Sequence, residues 1–140
     1  MSPKVPRSRP LVAVVDDEES IRKSLRRLFV AADLDAVIYA SGQEFLDSLR
    51  DHQPDCLVLD LQMPGLTGLE VQRTLAGAGA RFPTIIITAH DEPETRARCL
   101  AAGVAAYLCK PLHDEMLLDA IADVMGRVAA SAITDDPPRD

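Results

Sequence analysis

Residues 11–18 read Leu-Val-Ala-Val-Val-Asp-Asp-Glu, a run of five apolar residues that passes directly into three acids. An uninterrupted apolar run of this length is typical of a β-strand buried on both faces, as in a parallel sheet. Apolar residues then recur at helical spacing as far as Phe29, and Glu18 and Glu19 suit the first turn of a helix, where the dipole favours negative charge. The segment therefore predicts a buried strand followed by an amphipathic helix.

The same strand-and-helix pattern recurs four more times along the chain. Further strands are predicted at Asp35–Tyr39, Cys56–Leu59, Pro83–Thr88 and Val104–Cys109. Helices are predicted after a Ser41 cap, from about Thr67, from about Glu92 to Gly103, and over Met116–Val128. Strict alternation of two-sided apolar strands with helices predicts an α/β fold, a single doubly wound five-stranded parallel sheet flanked by five helices.

Length and composition bound the domain organisation. The chain has 140 residues, of which 47% are hydrophobic, so it is long enough for one globular domain with a real core. We expect that domain over residues 10–130, between flexible tails at 1–9 and 131–140. No apolar run approaches the roughly 18 residues of a membrane span, and no signal-peptide pattern is present. The sequence therefore predicts a cytoplasmic protein with no membrane partner.

Charge and cysteine usage exclude two further classes of site. The formal net charge of −7 argues against direct binding of nucleic acid, whose phosphates attract clustered Lys and Arg. The three cysteines, Cys56, Cys99 and Cys109, are far apart, and no histidine lies at zinc-ligand spacing. We expect reduced thiols that take no part in a metal site or a disulfide.

Polar residues end four of the five predicted strands. The first strand is followed by Asp16 and Asp17, and Asp60, Thr88 and Lys110 follow later strands. The carboxyl ends of parallel strands meet at one edge of a sheet, so these side chains should converge on one crevice. Three aspartates in such a crevice repel one another unless a cation lies among them. Mg²⁺ suits the position because it prefers oxygen ligands and keeps waters for a phosphate.

This set of groups fits phosphoryl transfer to a carboxylate. A carboxylate can attack phosphorus to form an aspartyl-phosphate, and the transferred group then needs a metal, an ammonium and a hydroxyl around it. Taken singly, each residue has a duller explanation: an Asp after a strand caps a helix, a Thr reflects β-propensity, and a Lys is a solvated charge. Convergence at four strand ends favours the functional interpretation.

With these residues in view, the sequence resembles the receiver domains of bacterial two-component response regulators. The matching stretches are Val14–Glu18, Leu59–Gly68, Ile87–His90 and Lys110-Pro111, within a resemblance that covers roughly residues 10–130. The likeness is strongest to the nitrogen-fixation regulator branch. It implies a flavodoxin-like (receiver) topology and a signalling protein, not an enzyme, that catalyses only its own phosphorylation and autodephosphorylation.

The resemblance also implies a role for each site residue. Asp60 would be the phosphoacceptor. Asp17, Asp60 and the backbone carbonyl of Gln62 would bind Mg²⁺ directly, with Asp16 acting through water, and Mn²⁺ could substitute for Mg²⁺. Lys110 would pair with the phosphoryl group and would be joined to Pro111 by a cis peptide bond.

Switching and lifetime are assigned by the same resemblance. Thr88 would move toward a phosphoryl oxygen while Tyr107 rotates into the vacated space, although a half-buried strand tyrosine is the alternative. The response surface would comprise the fourth helix, the fifth strand and the fifth helix. Gln62 and His90 would flank the path of hydrolytic water and tune dephosphorylation, and His90 could equally be a plain surface histidine.

The expected phosphodonor is a sensor histidine kinase or a phosphotransfer protein. Downstream, the protein would act on an unknown protein partner or on an output domain of its own, since it could stand alone or be part of a longer transcriptional regulator. A phosphorylation-dependent homodimer is compatible with the resemblance. The rivals are a haloacid-dehalogenase-type phosphatase, which needs an Asp-x-Asp pattern where Asp16 and Asp17 are adjacent, and a flavodoxin-like cofactor binder, which needs a phosphate-cradling first loop.

Overall fold

Five parallel strands form one sheet in the described part of the chain. The computed structural model describes residues 9–133, and the side chains of residues 9–126. The strands are β1 (Leu11–Val15), β2 (Asp35–Tyr39), β3 (Cys56–Asp60), β4 (Thr84–Thr88) and β5 (Ala106–Cys109). The helices are α1 (Glu19–Ala31), α2 (Gly42–Ser48), α3 (Gly68–Gly77), α4 (Pro93–Ala101) and α5 (Asp114–Ile133).

The order in which the chain adds strands to the sheet reverses at β1. The order is β2-β1-β3-β4-β5, and every neighbouring pair is parallel. From β1 the chain steps outward to β2 and then returns past β1 to β3. A crevice therefore opens at the carboxyl ends of β1 and β3, where ligands bind in doubly wound sheets. The predicted fold class is confirmed.

The three central strands β1, β3 and β4 bury both of their faces, which explains their uninterrupted apolar runs, whereas β2 and β5 at the edges are only partly buried. Along β1, Ala13 and Val15 face one core cluster, whereas Val12 and Val14 face the other. The first cluster lies under α2, α3 and α4 and includes Phe45, and the second lies under α1 and α5. All five residues of β1 are buried, because helices cover both sides of the sheet.

Several element ends differ from the sequence prediction: β3 runs to Asp60, one residue beyond Leu59, and α4 ends at Ala101, two residues before Gly103. β4 begins at Thr84, one residue later than predicted. β5 begins at Ala106, two residues later than predicted, because the amide of Val104 is used to close α4 by donating to the Cys99 carbonyl at 3.2 Å. α5 runs beyond the predicted Met116–Val128 at both ends.

Local capping agrees with the sequence prediction. The Ser41 hydroxyl accepts from the Glu44 amide at 3.1 Å, and Thr67 and Glu70 form a reciprocal capping box at the start of α3. Apart from their inner ends, the predicted tails at 1–9 and 131–140 lie outside the described residues. Within the described residues, every helix is too short or too polar to cross a membrane.

Candidate functional site

Three carboxylates converge at the switch in strand order. Asp16 directly follows β1, Asp60 is the last residue of β3, and oxygens of Asp16, Asp17 and Asp60 all lie within 4.8 Å of one another. Asp16 is fully buried, Asp60 is only 3% exposed, and Asp17 is exposed. Acidic groups cluster on many protein surfaces, but two buried carboxylates side by side need a structural or chemical reason.

Asp16 is fixed at each of its polar backbone and side-chain atoms. Its amide donates to the Tyr39 carbonyl at 3.2 Å, and its own carbonyl accepts from Arg22 Nη1 at 2.8 Å. Its Oδ1 accepts from the Glu18 amide at 2.9 Å, and its Oδ2 accepts from Lys110 Nζ at 3.1 Å. Hydrogen bonds thus hold Asp16 in one orientation, with its carboxylate in the crevice.

The negative charges near Asp60 are not fully neutralised by the positive charges beside them. Burial, and then the charge of Asp16, raise the pKa of Asp60 to about 6, although Lys110 and the Gln62 amide act in the opposite direction. Lys110 Nζ lies 3.6 Å from Asp60 Oδ1, and the Gln62 amide donates to the same oxygen at 3.4 Å. The site therefore favours a further positive charge beside Asp60.

Lys110 is the ammonium that the sequence predicted at this edge. Burial disfavours its charged form, but the hydrogen bond to Asp16 and the charges of Asp16 and Asp60 prevail, so its pKa is raised. Its amide donates to the Thr88 carbonyl at 2.7 Å, and its peptide bond to Pro111 is cis, as the resemblance implied. Lys110 is thus a fixed cation between two carboxylates.

Thr88 is buried at the end of β4, with its hydroxyl bonded to the following loop. The hydroxyl donates to the His90 carbonyl and accepts from the His90 amide, both at 3.1 Å. Its hydrogen bonds are therefore local to the β4–α4 loop. His90 and Gln62, in the loops that follow β4 and β3, are both exposed.

Tyr107 lies inside the molecule under α4. It is 8% exposed, and its hydroxyl is buried without a hydrogen-bond partner among the described residues. The Arg96 guanidinium lies 5.5 Å from the ring centroid, within cation–π range. Burial, followed by the nearby charge of Asp91, raises the pKa of Tyr107. The side chain is more deeply buried than the half-buried strand aromatic considered from sequence.

Two residues of the site were missed by the sequence reasoning. One is Arg22, whose contact with Asp16 depends on how α1 turns back over β1. The other is Gly68, where an added Cβ would lie 2.5 Å from the Asp60 carbonyl oxygen and 2.8 Å from Leu61 Cα. A basic residue so near a helix start was a usable signal for Arg22, because the helix dipole disfavours it there.

A comparison with known protein families agrees with this arrangement of acids, Thr88 and Lys110 at the strand ends. A sequence profile described as the response regulator receiver domain matches residues 12–122. The chain belongs to the response regulator receiver family. As a receiver it is a signalling domain of two-component systems.

Relatives of this receiver include both whole regulators and isolated domains. Nodulation protein W of Bradyrhizobium diazoefficiens is 39% identical over 114 residues, which cover 81% of the receiver and 50% of that protein. Response regulator MprA of Mycobacterium tuberculosis is 42% identical over 107 residues, covering 76% of the receiver and 46% of that protein. A solved response regulator receiver protein from Burkholderia phymatum is 46% identical, with a TM-score of 0.75 and coverage of 84% and 96%.

The match bears on two of the earlier expectations. The receiver spans about half the length of the curated relatives it matches. Nodulation protein W accords with the expected likeness to the nitrogen-fixation branch. The phosphatase alternative finds no support in these relatives.

Proposed function

We propose that this receiver accepts a phosphoryl group on Asp60 from a phosphohistidine of a sensor kinase or phosphotransfer protein. The observation that carries the proposal is the position of Asp60, buried at the end of β3 between two other acids and the Lys110 ammonium. An oxygen of Asp60 would form the new P–O bond as the P–N bond of the donor breaks. The reaction and its partner belong in the cytoplasm under this proposal.

Mg²⁺ fits the acid cluster. The donors are hard oxygens within 4.8 Å of one another, and the raised pKa of Asp60 marks a deficit of positive charge. Asp17, Asp60 and the Gln62 carbonyl would hold the ion directly and Asp16 through water, with Mn²⁺ as a substitute. When bound, the ion would neutralise charge on the phosphoryl oxygens.

The chain's own side chains would complete the charge balance. Lys110 already lies 3.6 Å from Asp60 Oδ1 and would pair with the phosphoryl group. The Thr88 hydroxyl now bonds the backbone of His90, two residues further along the chain. It could exchange this partner for a phosphoryl oxygen. Gln62 and His90 are exposed in the loops after β3 and β4, and would tune the access of hydrolytic water.

The output would be a change on the face formed by α4, β5 and α5. Thr88 leads into the loop before α4, and Tyr107 joins β5 to α4 through Arg96. A new dianionic group at Asp60 would bias this segment between two arrangements through charge-assisted hydrogen bonds. The face would then bind a downstream protein, an output domain of a longer regulator, or a second copy of the receiver.

Intact-mass analysis after incubation with acetyl phosphate and Mg²⁺ tests the proposal. Wild type should gain one phosphoryl group, Asp60→Asn should gain none, and Asp51→Asn, which removes an exposed carboxylate elsewhere, should behave as wild type. Equal labelling of Asp60→Asn and wild type would overturn the acceptor. Labelling that survives removal of divalent cations by EDTA would overturn the Mg²⁺ requirement.

A further inference from the structure

Arg22 is a cation at an electrostatically unfavourable position in α1. It is the fourth residue of the helix, where the aligned peptide dipoles disfavour positive charge. It is also half-buried, although long charged side chains normally keep their heads in water. Such a placement needs a compensating contact, and the structure supplies one.

That contact is the backbone carbonyl of Asp16. Arg22 Nη1 donates to this oxygen at 2.8 Å across the turn between β1 and α1. The carbonyl belongs to the peptide unit that joins Asp16 to Asp17, and a peptide unit is planar and rigid. Holding its oxygen therefore sets the direction in which the Asp17 backbone leaves the strand.

The other hydrogen bonds of the turn anchor Asp16, so the backbone orientation of Asp17 depends on the peptide unit that joins the two residues. Asp16 is anchored through its amide to Tyr39 and through its carboxylate to Glu18 and Lys110. Asp17 is the exposed member of the acid cluster, so packing constrains its side chain least. The orientation of its backbone therefore sets the range of positions that its carboxylate can reach.

We propose that Arg22 is a positioning residue for the cation site, acting through the Asp16 carbonyl to present Asp17 to the ion. This inference rests on the proposed Mg²⁺ dependence. Partners that orient metal ligands commonly contribute tenfold or more to metal affinity.

A charge-only role for Arg22 predicts the opposite sign. Removing one positive charge beside three carboxylates would by itself strengthen binding of a divalent cation. Loss of positioning would weaken binding. The direction of the change in Mg²⁺ affinity therefore separates the two explanations.

Calorimetric titration with Mg²⁺ of three variants makes the test. Arg22→Met keeps the apolar stem but has no donor, and should raise the Mg²⁺ dissociation constant by about tenfold. Arg22→Lys keeps the charge with a different reach and should fall between wild type and Arg22→Met. Lys23→Met removes an exposed charge one residue along, which pairs with Glu19, and should bind as wild type or slightly more tightly.

Two readouts separate this proposal from the proposed function. In metal-free protein, hydrogen exchange of the Glu18 amide, which donates to Asp16 Oδ1 at 2.9 Å within the same turn, should quicken in Arg22→Met and not in Lys23→Met. Phosphorylation by acetyl phosphate should be slowed at limiting Mg²⁺ and restored at saturating Mg²⁺. Unchanged or tighter binding in Arg22→Met, with unchanged exchange at Glu18, would overturn the role of Arg22. Wild type that binds no Mg²⁺ would instead contradict the proposed cofactor, and the exchange arm would still decide whether Arg22 orients Asp17.

Discussion

At the scale of single residues, the burial of the Asp60 carboxylate lowers the stability of the folded receiver. Its carboxylate is buried beside Asp16, and the resulting pKa of about 6 lies well above its ordinary value of 3.8. A group with a raised folded-state pKa stabilises the protein while it is protonated and loses that contribution as the pH rises through 6. In the metal-free receiver at neutral pH, Asp60 therefore opposes folding.

Asp60→Asn should stabilise the metal-free receiver in a pH-dependent way. The difference in the free energy of unfolding from wild type should be small below pH 4 and reach about 2–3 kcal/mol above pH 7. Urea unfolding in EDTA across this pH range measures it, with Asp51→Asn as the exposed control. A difference that does not vary with pH would show that burial of the charge is not the cause.

A second residue carries an uncompensated polar group. The hydroxyl of Tyr107 is buried with no hydrogen-bond partner among the described residues, whereas the hydroxyl of Tyr39 lies 3.4 Å from His52 Nε2. A buried, unpaired hydroxyl costs free energy that a carbon-bound hydrogen does not. The inward position of Tyr107 is thus held by packing and by Arg96, against the preference of its own hydroxyl.

Tyr107→Phe should therefore raise stability, by roughly 1 kcal/mol, while Tyr39→Phe should lower it by a few tenths to 1 kcal/mol. Denaturant midpoints of the two variants give the comparison directly. Both substitutions delete one oxygen from a strand tyrosine, so each serves as the other's control. A loss of stability in Tyr107→Phe would mean that the hydroxyl has a partner, such as an ordered water.

At the scale of elements, α3 is pressed against the end of β3. The Gly68 amide donates to the Leu61 carbonyl at 2.9 Å, and an added Cβ would meet the Asp60 carbonyl oxygen. That oxygen and Leu61 Cα are backbone atoms, so they cannot swing aside. The close approach fixes the loop that carries Gln62 beside Asp60.

Gly68→Ala should destabilise the receiver by roughly 1–3 kcal/mol through overpacking. Gly77→Ala, in the same helix with open space around it, should be neutral or stabilising, because Ala is the better helix former. Thermal unfolding of both variants makes the test. If Gly68→Ala matched Gly77→Ala, the contact with β3 would not be what requires glycine at this position.

Elements whose bounds follow from local signals were predicted well, and contacts set by tertiary packing were not. β1 and β2 were predicted to the residue, since two-sided apolar runs and turn residues are local. The predicted start of β5 was wrong because the Val104 amide donates to the Cys99 carbonyl at the end of α4. The carboxylates, Thr88 and Lys110 could be placed from strand ends alone, whereas the Arg22 contact depends on the path of α1 over β1.

At the scale of the whole molecule, contacts link the candidate site to the proposed response surface. β4 and β5 are neighbours, Thr88 ends β4, and Tyr107 on β5 packs against α4 through Arg96. β2 and β5 are each two strands from β3, and the β5 side contacts Asp60 through Lys110, which lies 3.6 Å from Asp60 Oδ1 and donates its amide to the Thr88 carbonyl. A change at Asp60 thus has a direct physical route through Lys110 and Thr88 toward α4 and β5.

Beryllofluoride with Mg²⁺, a mimic of the phosphoryl group, should therefore shift amide NMR signals unevenly. We expect large shifts in the loops around Asp60 and Thr88 and along α4 and β5, with small shifts in α2. Asp60→Asn under the same conditions is the control and should show none of them, because the mimic has no carboxylate to bind. Shifts confined to the crevice, leaving α4 and β5 unchanged, would contradict switching of this face. Shifts of equal size in α2 would instead show that the change spreads through the whole sheet, against a route through Lys110 and Thr88.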